Sequence, residues 1–189
     1  MIRLFIPFAL DPKVKEGLNR IIKELKPLSR SIKWVNPANM HLTAQFLGDT
    51  DPKLVPAITN LLNEIAPRFA PVSTVVDHLG GFPNLKRPLV IWAGMENSSK
   101  QLIPIADEIR IGLTGIGIKR DDKPFKPHLT LGRVRQADNL EQLLERVTTI
   151  SFPPMLVKFD RLELIHSTLT PKGPIYKSLA SVRLGPRFE

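Results

Sequence analysis

Two short stretches of one kind constrain this chain more than any other feature. His41-Leu42-Thr43-Ala44 in the first half and His128-Leu129-Thr130-Leu131 in the second share the pattern His-apolar-Thr-apolar, and each runs on to a glycine, Gly48 and Gly132. The copies stand nearly half the chain apart, so they read as one station repeated in two related halves. Side chains alternate between faces along a strand. His41 and Thr43 therefore share one face, and His128 and Thr130 share one in the same way. Leu42, Ala44, Leu129 and Leu131 take the opposite faces, which can pack on helices. If an internal pseudo-twofold relates the two strands, two imidazoles and two hydroxyls converge across a groove.

The flanking pattern predicts the elements around them. The apolar run Ile2 to Leu10 predicts a strand, ended by Asp11-Pro12. Asp11 as cap, Pro12 in the first turn, and Val14, Leu18, Ile21, Ile22 and Leu25 at helical spacing predict a helix up to Pro27. Strands are expected over Ile32–Val35 and His41–Leu47, and a second helix from Asp51-Pro52 to just before Pro67. Val72–Leu79 and Leu89–Ala93 read as strands joined through Gly80-Gly81-Phe82-Pro83. The second half repeats this grammar: a helix over Asn97–Leu113, a strand over His128–Val134 and a helix over Leu140–Val147. Strands over Val157–Asp160, Leu162–Ser167 and Ile175–Leu184 follow, the last two a hairpin around Pro171-Lys172-Gly173-Pro174. Helices alternating with strand pairs predict an α+β fold. No long linker interrupts it, so residues 1–189 read as one domain with a motif in each half, at 41–44 and 128–131.

Paired histidines suit acid–base chemistry. Imidazole titrates near neutrality, so one ring can accept a proton while the other donates one. Threonine hydroxyls can donate to phosphate oxygens without titrating. In-line attack at phosphorus needs a base on one side and an acid on the other, and such a pair supplies both without a metal. The net charge of +9 points to an anionic partner, nucleic acid among the candidates. Cysteine is absent, which excludes a disulfide scaffold, a thiolate metal site and a cysteine nucleophile, and fits a cytoplasmic location. No apolar window is long enough for a membrane helix, and the opening MIRLFIPFALDPK reads as a first strand rather than a signal peptide. His78 and His166 lack the threonine partner and read as incidental. Asp77-His78 is the only neighbour pair suggestive of zinc, and no metal is expected.

Arg3-Leu4-Phe5-Ile6, Trp34-Val35-Asn36-Pro37, His41 to Gly48, and Phe125-Lys126-Pro127-His128-Leu129-Thr130-Leu131-Gly132-Arg133 together resemble the RNA 2′,3′-cyclic phosphodiesterase branch of the 2H phosphoesterase superfamily, earlier described as 2′-5′ RNA ligases. The resemblance spans nearly the whole chain. It implies a bilobal α+β fold, each lobe an antiparallel sheet carrying helices, with the active site in the cleft between lobes. It implies hydrolysis of a 2′,3′-cyclic phosphate at an RNA 3′ end to a 2′-phosphate, with no cofactor and no metal. His128 is assigned as base and His41 as acid, and the symmetry of the motifs leaves the reverse open. Thr43 and Thr130 would hold phosphate oxygens. Arg133 matches the family's basic residue beyond the second motif; alternation places it off the His128 face, unless a bulge at Gly132 re-aims it, and a solvated surface charge is its other reading. Phe46 falls with Leu42 by alternation and is expected in the core, with base stacking as the alternative. Ser167 and Tyr176, in the family's last hairpin, are expected to be structural, with a substrate role as the alternative. The implied partner is RNA ending in a 2′,3′-cyclic phosphate, met by a cytoplasmic monomer with no membrane contact. Running the same site backwards makes a 2′-5′ ligase; a 2H enzyme for another cyclic phosphate and a non-catalytic RNA-binding module are the other readings. The intact motif pair argues against the last.

Overall fold

The chain's elements alternate much as the pattern predicts. In a computed structural model that describes residues 1–95, 99–119, 124–136, 139–171 and 173–185, they run β1 (Ile2–Phe8), α1 (Pro12–Leu25), β2 (Ile32–Trp34), β3 (Leu42–Thr50), α2 (Val55–Ile65), β4 (Val72–Phe82), β5 (Val90–Met95), α3 (Ser99–Gly115), β6 (Leu129–Val134), α4 (Glu141–Thr149), β7 (Met155–Phe159), β8 (Arg161–Thr170) and β9 (Gly173–Arg183). Two sheets form, one ordered β3-β1-β8-β9 and the other β2-β6-β5-β4-β7, with every pairing antiparallel. This is the expected α+β class, with one motif strand in each sheet.

Local chemistry accounts for the helices. Asp11 Oδ1 accepts a hydrogen bond from the Lys13 amide at 2.7 Å, and Pro12 occupies a first-turn position whose amide would have no helical partner. The buried stripe of α1 is Val14, Leu18, Ile21, Ile22 and Leu25, as its spacing predicts. Each such side chain contributes about 1.5–3 kcal/mol by leaving water. The second helix begins later than expected: Asp51 caps a 3-10 turn, Pro52–Leu54, and α2 proper starts at Val55. Of the helix expected from Asn97, the described part begins at Ser99 and runs on to Gly115; Asn97 lies outside the described residues, as does Lys172 in the β8–β9 turn.

The sheets do not follow the halves of the chain. β2, from the first half, borders the sheet that holds β6, while β8 and β9, from the second half, complete the sheet of β1 and β3. Helices cross over as well. α1 follows β1 yet packs on β7 and α4, whereas α3 follows β5 yet packs on β3 and α2. One continuous apolar core results, in which Leu4, Phe8 and Leu42 belong to the same cluster as Ile91, Leu129 and Phe159.

Gly80 and Gly81 are strand residues of β4 rather than a turn. A Cβ at Gly80 would stand 2.3 Å from the Trp92 ring across the ladder, so this glycine serves close approach of an aromatic to the backbone.

Candidate active site

Both motif strands are bulged at the same place. In the β1–β3 ladder Pro7 faces Thr43 and Ile6 faces Gln45, so Ala44 is skipped. In the β5–β6 ladder Trp92 faces Thr130 and Ile91 faces Gly132, so Leu131 is skipped. The skipped residue is the fourth of each motif. An extra residue turns everything after it by one position. Arg133 is thereby brought back to the face of Thr130 and lines the cleft, where unbroken alternation would have turned it away. The bulge residue is Leu131, next to Gly132. The same shift corrects the expectation for Phe46. It stands opposite Phe5, is 56% exposed and lines the cleft instead of joining Leu42 in the core. Phe46 and Arg133 are thus equivalent positions in the two halves.

His41 and His128 each precede the first residue of their strand, and each is held in one way. His41 Nδ1 lies 2.7 Å from the Asn39 carbonyl, and His128 Nδ1 lies 2.6 Å from the Lys126 carbonyl. A carbonyl oxygen only accepts, so both Nδ1 atoms carry the proton and each neutral ring keeps its lone pair on Nε2. Further contacts fix the segment that anchors His41. Asn36 caps the 3-10 turn Pro37–Asn39, Lys15 Nζ donates to the Ala38 carbonyl at 3.0 Å, and Asn39 Nδ2 donates to the Pro174 carbonyl at 2.9 Å. The His41 ring packs between Phe5 and Tyr176, at centroid distances of 4.7 and 5.5 Å, and His128 meets Phe82 edge-on at 4.9 Å.

His41, Thr43, His128, Thr130 and Arg133 all line one cleft of about 1000 Å³, together with Tyr176 and Phe46. Burial sets its electrostatics. Loss of water pushes the His41 imidazolium down to about 4, with smaller contributions in the same direction from Lys15, Arg133 and His128; the Asn39 carbonyl opposes them. Burial also lowers His128, aided by Arg133 and opposed by the Lys126 carbonyl, and raises Tyr176. Burial therefore favours the neutral form of both imidazoles, with the positive Arg133 beside them. An arriving phosphate anion reverses that balance and favours a charged ring.

Among the described residues no three His, Asp or Glu side chains converge as metal ligands. His78 Nδ1 pairs with Asp77 at 2.6 Å, its ring against Trp92, and His166 sits opposite Leu4 on β8. Lys15 and the aromatic bed of Phe5 and Phe82 were not singled out in the sequence. Lys15 is an ordinary charged position on α1, and only the path of the chain brings it against Ala38.

Two antiparallel sheets, each delivering a His-x-Thr-x strand to a shared cleft, define the class of the 2H phosphoesterases. Within it the chain belongs to the LigT-like phosphoesterase family, whose model matches residues 8–92 and 94–176. It is a hydrolase of that family. A Thermotoga maritima protein named RNA 2′,3′-cyclic phosphodiesterase is 38% identical over 178 residues, covering 94% of this chain and 92% of the relative. One of the same name from Archaeoglobus fulgidus is 36% identical, covering 94% and 97%. A crystal structure of a Thermus thermophilus protein superposes with a TM-score of 0.81 at 28% identity, over 99% of this chain and all of that one. Escherichia coli LigT, solved in complex with 3′-AMP, shares the fold with a TM-score of 0.77 at 22% identity, over 97% and 98%. Among the described residues no helix is long and apolar enough to cross a membrane.

Proposed function

We propose that this chain hydrolyses the 2′,3′-cyclic phosphate at an RNA 3′ end to a 2′-phosphate, using its two histidines and no metal. The observation that carries the reading is the identical anchoring of the two rings, Nδ1 to the carbonyl two residues back, beside one cleft with a threonine from each motif. The names of the relatives support the substrate. His128 Nε2 takes a proton from water as its oxygen attacks phosphorus. The P–O3′ bond breaks, and His41 gives its Nε2 proton to the departing O3′. Thr43 and Thr130 donate to the non-bridging oxygens, and Arg133 offsets the charge that builds on them. His41 leaves the step neutral and His128 charged, and solvent restores both. The opposite division of roles has one observation in its favour: His128 is the less deeply buried ring and the easier to charge. We further read the enzyme as a cytoplasmic monomer.

An oligonucleotide ending in a 2′,3′-cyclic phosphate, incubated with the protein and a chelator, tests the reading. A 2′-phosphate end is expected. A 3′-phosphate product overturns the direction of opening, and loss of turnover on chelation overturns the metal-free step. Supplying a 5′-hydroxyl strand and looking for a 2′-5′ linkage tests the ligase alternative. Binding without turnover would favour the RNA-binding module.

A further inference from the structure

The cleft carries more positive charge than one terminal phosphate uses. Arg3 also lines it, on β1. The β1–β8 register sets Leu4 opposite His166, which brings Arg3 level with Ser167, and Ser167 in turn faces Tyr176 across β8–β9. The three form a row across the four-stranded sheet, one step beyond the Phe5 that supports His41. Arg133 reaches the same place from the other sheet, since the Tyr176 hydroxyl feels the charge of both Arg133 and Arg3. Among the described residues Arg3 has no acidic partner. Asp49 is its cross-strand neighbour on β3 but forms no ion pair with it. Ser167 is 8% exposed and opens on the cleft, and its side-chain hydroxyl has no hydrogen-bond partner among the described residues. A guanidinium and two hydroxyls, all donors and none satisfied by a carboxylate, are a phosphate's complement.

We propose that Arg3, Ser167 and Tyr176 form a second phosphate subsite, which receives the phosphate on the 5′ oxygen of the nucleoside whose cyclic phosphate lies between the histidines. It rests on the reading of the histidine pair given above. In an RNA chain that group is the diester linking the last two residues; in a mononucleotide it is a free 5′-phosphate. Arg133, between the two subsites, is shared. The cleft then measures one nucleotide from phosphate to phosphate, and ends bearing both groups are its preferred substrates.

Three substrates separate the sources of the effect: a nucleoside 2′,3′-cyclic phosphate, the same compound with a 5′-phosphate, and a dinucleotide with a cyclic end. The second and third are expected to exceed the first in kcat/KM by about tenfold or more, the scale of a hydrogen bond to a charged group. Arg3→Ala should remove most of that advantage and leave the first compound's rate unchanged; Arg3→Lys should keep part of it, and Ser167→Ala should lose less. Equal rates on all three overturn the subsite, as does a loss spread evenly over them. An advantage confined to the dinucleotide overturns it too, because the second nucleoside and not the phosphate would then be recognised. Binding gives a readout free of turnover. At fixed ionic strength a nucleoside 2′,5′-bisphosphate should bind about tenfold more tightly than the 2′-phosphate by calorimetry, and Arg3→Ala should abolish the difference. If that holds in a protein that hydrolyses none of the three, the subsite stands and the hydrolase reading of the cleft falls. If the bisphosphate binds no more tightly, the subsite is wrong whatever the rates.

Discussion

At the scale of single residues the proposed mechanism rests on two imidazoles whose neutral form burial favours in the free protein. His41→Ala and His128→Ala should each lower the rate by about 10²–10⁴-fold while leaving far-UV circular dichroism unchanged, because neither ring belongs to the apolar core. A substrate whose 3′ oxygen is replaced by sulfur tells acid from base: thiolate leaves without protonation, so the variant lacking the acid regains rate on it and the variant lacking the base does not. Rescue of His41→Ala is expected, and rescue of His128→Ala would exchange the two roles. The proposed mechanism needs one ring charged and one neutral, and burial lowers the pKa of both rings from the ordinary 6.5 in the free protein. As pH rises above the higher of the two, the charged ring is lost. kcat/KM, which reports the free protein, should therefore already be falling as pH rises from 7 to 8. The bound anion raises both values, so the fall in kcat should come at higher pH. Arg133→Gln removes a charge that depresses both rings, which should move the kcat/KM limb upward while raising KM. Coincident limbs for kcat/KM and kcat would show that the phosphate does not recharge the pair.

Elements were legible where periodicity alone decides them and illegible where a partner strand does. The α1 stripe and the placing of both motifs on strands could be read directly, because a 3.6 or a 2 repeat is written in consecutive residues. The bulges at Ala44 and Leu131 could not. A skipped residue is defined by what lies opposite, and β1 and β5 are far from their partners in sequence. That is why alternation put Phe46 in the core, and why Arg133 needed the bulge to reach the cleft. The two glycines after the motifs look alike in sequence but differ in cause. Gly48 has φ +67 with open space around it, whereas a Cβ at Gly132 would stand 2.5 Å from Ile32 Cγ2, a β-branched side chain with little freedom to move. Gly48→Ala should cost about 1 kcal/mol through backbone strain and spare activity. Gly132→Ala should push β2 from β6, cost about 1–3 kcal/mol and weaken turnover, since the same stretch aims Arg133. Thermal melts beside kcat/KM values check both; equal effects of the two substitutions would contradict the distinction.

For the whole molecule, the repeated motif suggested two halves, and the chain instead exchanges parts between its sheets. β1 finds its second neighbour in β8, β2 pairs among the described residues only with β6, and one apolar cluster runs through both lobes. Neither lobe can then bury its surface while the other is open, and the two should unfold as one. Trp34 and Trp92, the chain's only tryptophans, lie on β2 and β5. Their fluorescence therefore reports the five-stranded sheet alone, while far-UV circular dichroism reports both. Leu164, fully buried on β8 of the other sheet, supplies the perturbation. Leu164→Ala should destabilise by about 2–5 kcal/mol, and the denaturant midpoints by fluorescence and by dichroism should fall together. If the dichroism midpoint fell and the tryptophan midpoint stayed, the lobes would be independent. The cleft between them could then open by the unfolding of one wall, and the fixed separation of the two histidines would no longer follow from the fold.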